Sequence, residues 1–240
     1  MRLVDIKTGH LSDPERYYLH GHSFLELKNT TRFVSILEKL LLDKPKEGFT
    51  WEQSMNSFTL RPNVYTYDEE FLNVLFDNNI HKKIPEYTGR DLVLAHIQVV
   101  KTTPGRSYQD WHRDTYQFEY NNIVGATPPA HKIIFYPVID YPEARLKYID
   151  GSHRAMVNSQ KFDDMLITKY PHDVIQSSND RCLLFETSLL HGVIPDVKPR
   201  GSIRVMYSFH EKHQFEKRYA SKEHHNKLRK LYDDMVQSHV

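Results

Sequence analysis

The stretch Ile203–Phe209, with the sequence IRVMYSF, alternates between two kinds of side chain along its whole length. Successive side chains of a β-strand point to opposite faces, so this pattern predicts a strand with one apolar face against a core. The apolar face would carry Ile203, Val205, Tyr207 and Phe209, and the opposite face Arg204, Met206 and Ser208.

Further short strands are predicted on the N-terminal side of this stretch. They are Leu92–Lys101, Lys132–Ile139, Leu146–Ile149 and Asp180–Phe185, with an earlier candidate at Leu19–Lys28. Helical periodicity is found near the two ends of the chain, from Thr30 or Thr31 to about Asp43, over Asp68–Asn78, and over Glu216–Gln237. This order predicts an α+β protein with a mainly β core, built as an antiparallel sandwich or barrel.

Composition narrows the class of protein. The chain has 240 residues, 39% hydrophobic and 26% charged, which is the balance of an ordinary globular protein. The formal net charge of +1 provides no strong field for nucleic acid or an anionic membrane. Cys182 is the sole cysteine, which excludes an intramolecular disulfide. No apolar run is long enough for a membrane span and the first residues do not resemble a signal peptide, so we expect a cytoplasmic protein.

The most specific local motif is Trp111-His112-Arg113-Asp114. Residues two apart on a strand share a face, so His112 and Asp114 could bind one metal ion from the same side. Iron(II) oxygenases use two histidines and one carboxylate in this way and leave three coordination positions open. A salt-bridged or solvated pair is the alternative for an isolated His-x-Asp.

A second histidine, His191, follows a predicted strand, and Arg200 opens the next one. If 2-oxoglutarate chelates a metal through its keto acid, its distal carboxylate needs a partner, and arginine can bind a carboxylate through two hydrogen bonds. Arg200 and Ser202 would share a strand face, and Arg204 on the same face is the second candidate for this anchor. A surface turn after Pro199 is the alternative for Arg200.

Taken in order, these motifs resemble the phytanoyl-CoA dioxygenase family of Fe(II)/2-oxoglutarate oxygenases, over about Leu92 to Phe209. The family's segment around its first two ligands resembles Lys101–Asp114, and its Leu-x-x-Ile-Pro-Gly-Ser-His element resembles Leu146–His153, with Asp150 in place of proline. Its His-Gly…Pro-Arg element resembles His191–Arg200, although the loop here is shorter.

The resemblance implies a double-stranded β-helix, or jelly roll, with flanking N-terminal and C-terminal helices. We expect a single domain over residues 1–240, with a flank over 1–90, the jelly-roll core over 91–210 and a terminal helix over 211–240. The resemblance implies His112, Asp114 and His191 as metal ligands and Arg200 as the cosubstrate anchor. Gln98 or Thr102 could also face the cosubstrate.

The function that the resemblance implies is Fe(II)- and O₂-dependent hydroxylation of an unactivated C–H bond, with decarboxylation of 2-oxoglutarate to succinate. The substrate would be a small molecule such as a metabolite, an amino acid derivative or an acyl conjugate. A jelly-roll binding module that keeps a metal, a cupin-like isomerase and a zinc hydrolase are the alternatives. Tyr116, Phe118 and Tyr120 could line the pocket mouth. We expect His20 and His22 to be histidines on the surface of a strand, and His153 to be structural.

Overall fold

The computed structural model describes residues 11–54, 56–105, 110–114, 117–120, 123–126, 130–155, 159–211 and 222–239. Its helices are α1 (Asp13–His20), α2 (Thr31–Leu42), α3 (Glu70–Asp77), α4 (Ile80–Thr88), α5 (Gln160–Lys169) and α6 (Lys222–Ser238). Its strands are β1 (His22–Glu26), β2 (Thr50–Ser54), β3 (Ser57–Arg61), β4 (Leu92–Thr102), β5 (Gln117–Tyr120), β6 (Ile123–Ala126), β7 (His131–Phe135), β8 (Ala144–Tyr148), β9 (Asp173–Gln176), β10 (Arg181–Glu186), β11 (His191–Val193) and β12 (Ile203–Glu211).

Antiparallel sheets form the core. A seven-stranded sheet has the order β1-β10-β7-β12-β4-β3-β2, and a three-stranded sheet has the order β11-β8-β9. Strands β5 and β6 pair as a separate hairpin. All pairs between these strands are antiparallel, as the short alternating segments of the sequence predict.

The two faces of the large sheet pack against different parts of the protein. On one face, Val205 and Tyr207 of β12 pack with helical side chains such as Phe33 of α2 and Phe71 of α3. On the other face, Met206 packs against a core that both sheets share, formed by residues Ile134, Tyr136, Leu146, Tyr148, Ile175, Leu183, Phe185, Leu189 and Val193. The alternation over 203–209 is therefore confirmed: its apolar face meets the helices, and the face of Arg204 meets the small sheet.

Most of the predicted elements are present. Helices α2 and α3 cover the predicted segments, and the helix over Lys222–Ser238 is the described part of the predicted terminal helix. The predicted strand at Leu19–Lys28 is too long at its start, because α1 continues to His20. This helix begins at a capping box between Ser12 and Glu15 and ends at Gly21, whose φ of 76° favours glycine.

The N-terminal third contributes more to the sheet than the sequence indicates. Strand β1 pairs with β10 at one edge, and β3 pairs with β4 on the other side of the large sheet. Strands β2 and β3 and helices α1, α4 and α5 were not predicted from the sequence. The division into a flank, a core and a terminal helix stays a prediction. Within the described residues, no helix combines the length and apolarity that a membrane crossing requires.

Candidate metal centre

Three predicted ligands meet at one end of the shared core. His112 and His191 exchange backbone hydrogen bonds of 2.8 and 3.0 Å, and their ring centroids lie 4.2 Å apart. Asp114 Oδ1 lies 3.5 Å from His112 Nε2, and Asp114 Oδ2 lies 3.6 Å from His191 Nε2. Among the described residues, this is the one group of three or more His, Cys, Asp or Glu side chains whose ligand atoms converge in a way that could hold a metal ion.

Backbone carbonyls orient both imidazole rings. His112 Nδ1 lies 2.6 Å from the Asp110 carbonyl oxygen, and His191 Nδ1 lies 2.8 Å from that of Leu189. Because a carbonyl oxygen only accepts, each Nδ1 carries a hydrogen, and the Nε2 atom of each ring faces Asp114. Burial, with His112 adding to it, lowers the pKa of His191 to about 4, so this ring is neutral and able to bind a metal at pH 7.

The carboxylate of Asp114 is held ionised by its neighbours. Burial by itself would raise its pKa, but the Lys132 ammonium, 2.9 Å from Oδ2, and the two imidazoles outweigh that effect. The pKa of Asp114 therefore lies well below its ordinary value. The Asp114 backbone N–H donates to the Thr187 carbonyl over 2.8 Å, which fixes the chain at this position.

Arg113, between the two ligands in sequence, is buried and ties three segments together. Its guanidinium forms a salt bridge of 2.8 Å to Asp163 of α5 and donates to the backbone carbonyls of Ser152 and Ser188. Ser152 Oγ in turn accepts a hydrogen bond from the Leu190 backbone N–H, directly before His191. Arg113 therefore connects the segments that carry both histidines, without an atom among the converging ligand groups.

The two arginines that the sequence leaves open as anchors lie in different environments. Arg200 is exposed, in a turn where Gly201 N donates to the Lys198 carbonyl over 3.1 Å. Arg204 is 3% exposed, lies opposite Val100 of β4, and shares the sheet face of Met206 towards the shared core. Of the two guanidinium groups, only that of Arg204 is buried on this face.

The polar side chains predicted beside the cosubstrate lie on or next to β4. Thr102 Oγ1 lies 2.8 Å from Ser202 Oγ and 3.2 Å from Asp196 Oδ2. Asp196 also pairs with Arg145 over 3.2 Å, so the two hydroxyls belong to a buried ionic network. Gln98 donates to Thr59 Oγ1 over 3.2 Å.

A tyrosine that sequence reasoning did not single out lies in the shared core. Tyr136 is 5% exposed, and its hydroxyl has no hydrogen-bond partner among the described residues. Burial raises its pKa, opposed by Arg204 and Arg145, while Asp114 raises it further. The phenol is thus a neutral donor within electrostatic range of both Arg204 and Asp114. A buried hydroxyl without a partner is costly, which indicates a place for a ligand acceptor.

Some residues with predicted roles have no described side chain. Tyr116 is outside the described residues, and the side chains of Phe118 and Tyr120 are not described. His153 Nε2 donates a hydrogen bond of 3.0 Å to the backbone carbonyl of Tyr18 in α1, in keeping with a structural role.

Sequence reasoning also missed Lys132 and Arg113. Each had a signal: Lys132 is the one charged residue of an otherwise apolar predicted strand, and Arg113 is enclosed by two candidate ligands. Charged residues within such segments are rarely buried unless they are paired.

Comparison with solved structures identifies the class that shares this fold. HygX from Streptomyces hygroscopicus, with nickel and 2-oxoglutarate bound, matches with a TM-score of 0.64 at 15% identity, over 84% of this chain and 87% of HygX. HygX has also been solved with iron bound, and with nickel, 2-oxoglutarate and hygromycin B bound.

Two enzymes of nogalamycin biosynthesis also match. The non-heme α-ketoglutarate-dependent carbocyclase SnoK has a TM-score of 0.64 at 13% identity, over 91% of each chain. The α-ketoglutarate-dependent epimerase SnoN has a TM-score of 0.60 at 11% identity, over 82% of this chain and 81% of its own. At such identities the likeness shows the fold alone. Neither a protein family nor a curated protein matches the sequence.

Proposed function

We propose that this protein is an Fe(II)/2-oxoglutarate-dependent dioxygenase that hydroxylates an unactivated C–H bond of a small molecule. The observation that carries the proposal is the convergence of two imidazoles and one carboxylate, His112, Asp114 and His191, on one point. Such a facial triad leaves three adjacent coordination positions open, which suits a chelating cosubstrate and O₂. HygX, which has the same fold, has been solved with nickel and 2-oxoglutarate bound, and separately with iron bound.

We infer that the two sheets form a double-stranded β-helix within a single domain. The small sheet, with the strand order β11-β8-β9, faces the large sheet. The isolated bridge between His112 and His191 adds a fourth chain segment beside β11. This arrangement supports the jelly roll that the family resemblance implies, whereas membership of the phytanoyl-CoA dioxygenase family stays a hypothesis.

We assign the distal carboxylate of 2-oxoglutarate to Arg204 rather than to Arg200. Arg204 is buried on the core side of β12, and the partnerless Tyr136 hydroxyl is available to donate to the same carboxylate. Arg200 is exposed to solvent, where a salt bridge contributes little. The hydroxyls of Ser202 and Thr102 and the amide of Gln98 remain candidates for the wall of the cosubstrate site.

When bound, Fe(II) and 2-oxoglutarate supply O₂ activation coupled to oxidative decarboxylation, which gives succinate, CO₂ and one oxygen atom for the substrate. The chain's own residues bind and orient. His112 and His191 would present their Nε2 atoms to the metal because backbone carbonyls hold their Nδ1–H groups. Ile134, Phe185 and Val193 exclude water from the interior next to the site.

The substrate class rests on charge and on the neighbouring structures. A net charge of +1 favours neither nucleic acid nor a membrane surface, and HygX binds the small molecule hygromycin B. We propose a small metabolite, an amino acid derivative or an acyl conjugate as the substrate, and the cytoplasm as the location.

The same fold serves a carbocyclase and an epimerase, so the product has to be measured. Hydroxylation adds one oxygen atom to the substrate mass, ring closure by oxidation removes two hydrogens, and epimerisation leaves the mass unchanged. We expect the first outcome, with succinate formed in equal amount.

The decisive experiment adds Fe(II) and then 2-oxoglutarate to the metal-free protein without oxygen and records the visible spectrum. We expect a charge-transfer band that needs both additions and is lost in Asp114→Ala. Arg204→Leu should weaken 2-oxoglutarate binding by about 100-fold, the value of a buried charge-assisted pair. The matched variant Arg200→Leu should leave it within about twofold.

Absence of the band in a folded, metal-binding protein would overturn the proposal and favour a non-oxidative jelly-roll metalloprotein. A large loss in Arg200→Leu with none in Arg204→Leu would reverse the assignment of the anchor.

A further inference from the structure

Lys132 places a buried ammonium beside the candidate metal centre. It follows the first residue of β7, a central strand bonded to β10 and β12, and its side chain is 10% exposed. Its Nζ lies 2.9 Å from Asp114 Oδ2. A buried ammonium is stable only when it is paired, and a central strand holds its position firmly.

The two imidazoles do not distinguish the two oxygens of Asp114. His112 Nε2 lies 3.5 Å from Oδ1, and His191 Nε2 lies 3.6 Å from Oδ2. A metal ion between the rings could bind either oxygen or both. The contact that breaks this symmetry is that of Lys132, which binds Oδ2.

We propose that Lys132 is a positioning residue that selects the metal-binding oxygen of Asp114. It holds Oδ2 by a charge-assisted hydrogen bond and leaves Oδ1 as the single oxygen ligand. The inference rests on the proposed function and adds a role that the sequence motifs do not assign.

The number of coordination positions explains why the choice of one Asp114 oxygen matters. Two imidazoles and one oxygen occupy three of six positions, so that a chelating cosubstrate and O₂ fill the other three. If both Asp114 oxygens bound the metal, only two positions would remain. The cosubstrate would take both, and O₂ would have none. Lys132 thereby preserves the position that the reaction needs.

The ammonium also has a measurable cost for metal binding. It repels a divalent cation at the adjacent site, and in a poorly solvated interior this repulsion is considerable. Removal of its charge should therefore strengthen metal binding. A lysine that merely supports the fold would have the opposite effect, because its loss would loosen Asp114.

Three variants separate the charge from the hydrogen bond, and Co²⁺ alone is the probe. Lys132→Arg keeps both properties, Lys132→Gln keeps a donor without charge, and Lys132→Met has neither. The affinity for Co²⁺ is measured by titration, and the number of bound Asp114 oxygens by X-ray absorption at the cobalt edge. Circular dichroism in the presence of Co²⁺ checks that each variant is folded.

We expect Lys132→Met to bind Co²⁺ about tenfold more tightly and through both Asp114 oxygens. Lys132→Gln should show the tighter binding with one bound oxygen, and Lys132→Arg should match the wild type in both respects. One bound oxygen in Lys132→Met, or weaker Co²⁺ binding in it, would overturn the proposal. Because this test needs no cosubstrate, it stands apart from the 2-oxoglutarate band, whose absence would refute the proposed function alone.

Discussion

Two clusters of described residues each contain two histidines and one aspartate, yet only one brings its ligand atoms together in a way that could hold a metal ion. In the first, His112, Asp114 and His191, both Nδ1 atoms bind backbone carbonyls and both Nε2 atoms face the carboxylate. The second consists of His20, His22 and Asp150. There, His20 Nδ1 lies 2.8 Å from both Asp150 oxygens.

The ligand atoms of the second cluster do not converge on one point, and it is not among the groups that could hold a metal. His22 Nδ1 lies 3.3 Å from the His20 carbonyl and 3.7 Å from Asp150 Oδ1. A cavity of about 340 Å³ borders these residues, so neither residue type nor open space is sufficient for a metal site. The difference lies in which ring nitrogen faces the aspartate: Nε2 of both histidines in the first cluster, and Nδ1 of both histidines in the second.

The largest expected effect tests this difference directly. His191→Ala removes a proposed metal ligand, whereas His20→Ala removes a hydrogen bond to Asp150. We expect the first to weaken Co²⁺ binding by about 1000-fold, beyond the 10–100-fold typical of residues that merely orient ligands. The second should leave Co²⁺ affinity unchanged. Equal losses in the two variants, measured by titration of folded protein, would contradict the distinction between the clusters.

A second prediction concerns the arginine beside each cluster. Arg113→Met leaves Asp163 buried without its partner and should lower the free energy of unfolding by about 3 kcal/mol. Arg16→Met, at an exposed pair with Asp13, should cost no more than about 0.5 kcal/mol. Urea denaturation of the metal-free proteins gives both values. If the two variants were equally stable, Arg113 would not be the residue that holds the ligand segments together.

The third prediction tests the second cluster as a structural element. Asp150→Asn weakens the pair with His20, which links the end of α1 to the turn after β8. We expect a loss of about 1.5 kcal/mol in the free energy of unfolding, as for a hydrogen bond to a charged group. Co²⁺ affinity should not change. A marked fall in Co²⁺ affinity with stability intact would instead make this cluster a functional site.

The smallest effect concerns buried histidines that belong to neither cluster. Burial lowers the pKa of His131 to about 3, with a contribution from Arg90, and that of His96 to about 3, with a contribution from Arg61. In the unfolded chain both histidines would have a pKa of about 6.5. Below that pH the unfolded state binds more protons than the folded state, so acid destabilises the fold.

Between pH 7.5 and 5.5 we expect each of these two histidines to reduce the free energy of unfolding by about 1.4 kcal/mol. His131→Gln should reduce the pH dependence of the free energy of unfolding by the contribution of one histidine. The fold should be retained, because the glutamine amide can still form a hydrogen bond with the Tyr17 hydroxyl. Urea denaturation across this pH range checks both statements. Identical slopes in the two proteins would show that His131 does not carry this dependence.

Much of the fold could be predicted because its signals are local. The alternation in β12 and the apolar face of α2 follow from periods of two and 3.6 residues, which depend on the backbone alone. Helix α1 and strands β2 and β3 were missed. Strand β3 pairs with β4, which lies far along the chain, and β2 pairs with β3 at the edge of the sheet. No short sequence pattern indicates the distant partner on which both depend.

The candidate site divides in the same way. The spacing of two residues between His112 and Asp114 can be found in the sequence, and it indicates two candidate metal ligands. The predicted strand that would carry them is not formed, because His112 makes an isolated bridge to His191 and Asp114 lies in a bend. The sequence also leaves Arg200 and Arg204 as the anchors to consider. That Arg204 is the buried one follows from the tertiary structure, since burial depends on which sheet face meets the small sheet.

The tertiary structure also distinguishes the two histidine clusters. It brings Lys132 next to Asp114, which lies 18 residues earlier in the chain. The direction of an imidazole lone pair and the position of a buried ammonium are set by backbone groups and strands distant in sequence. Such through-space contacts leave no periodic trace. The sequence therefore predicts the chemistry of the site, and the fold supplies its geometry.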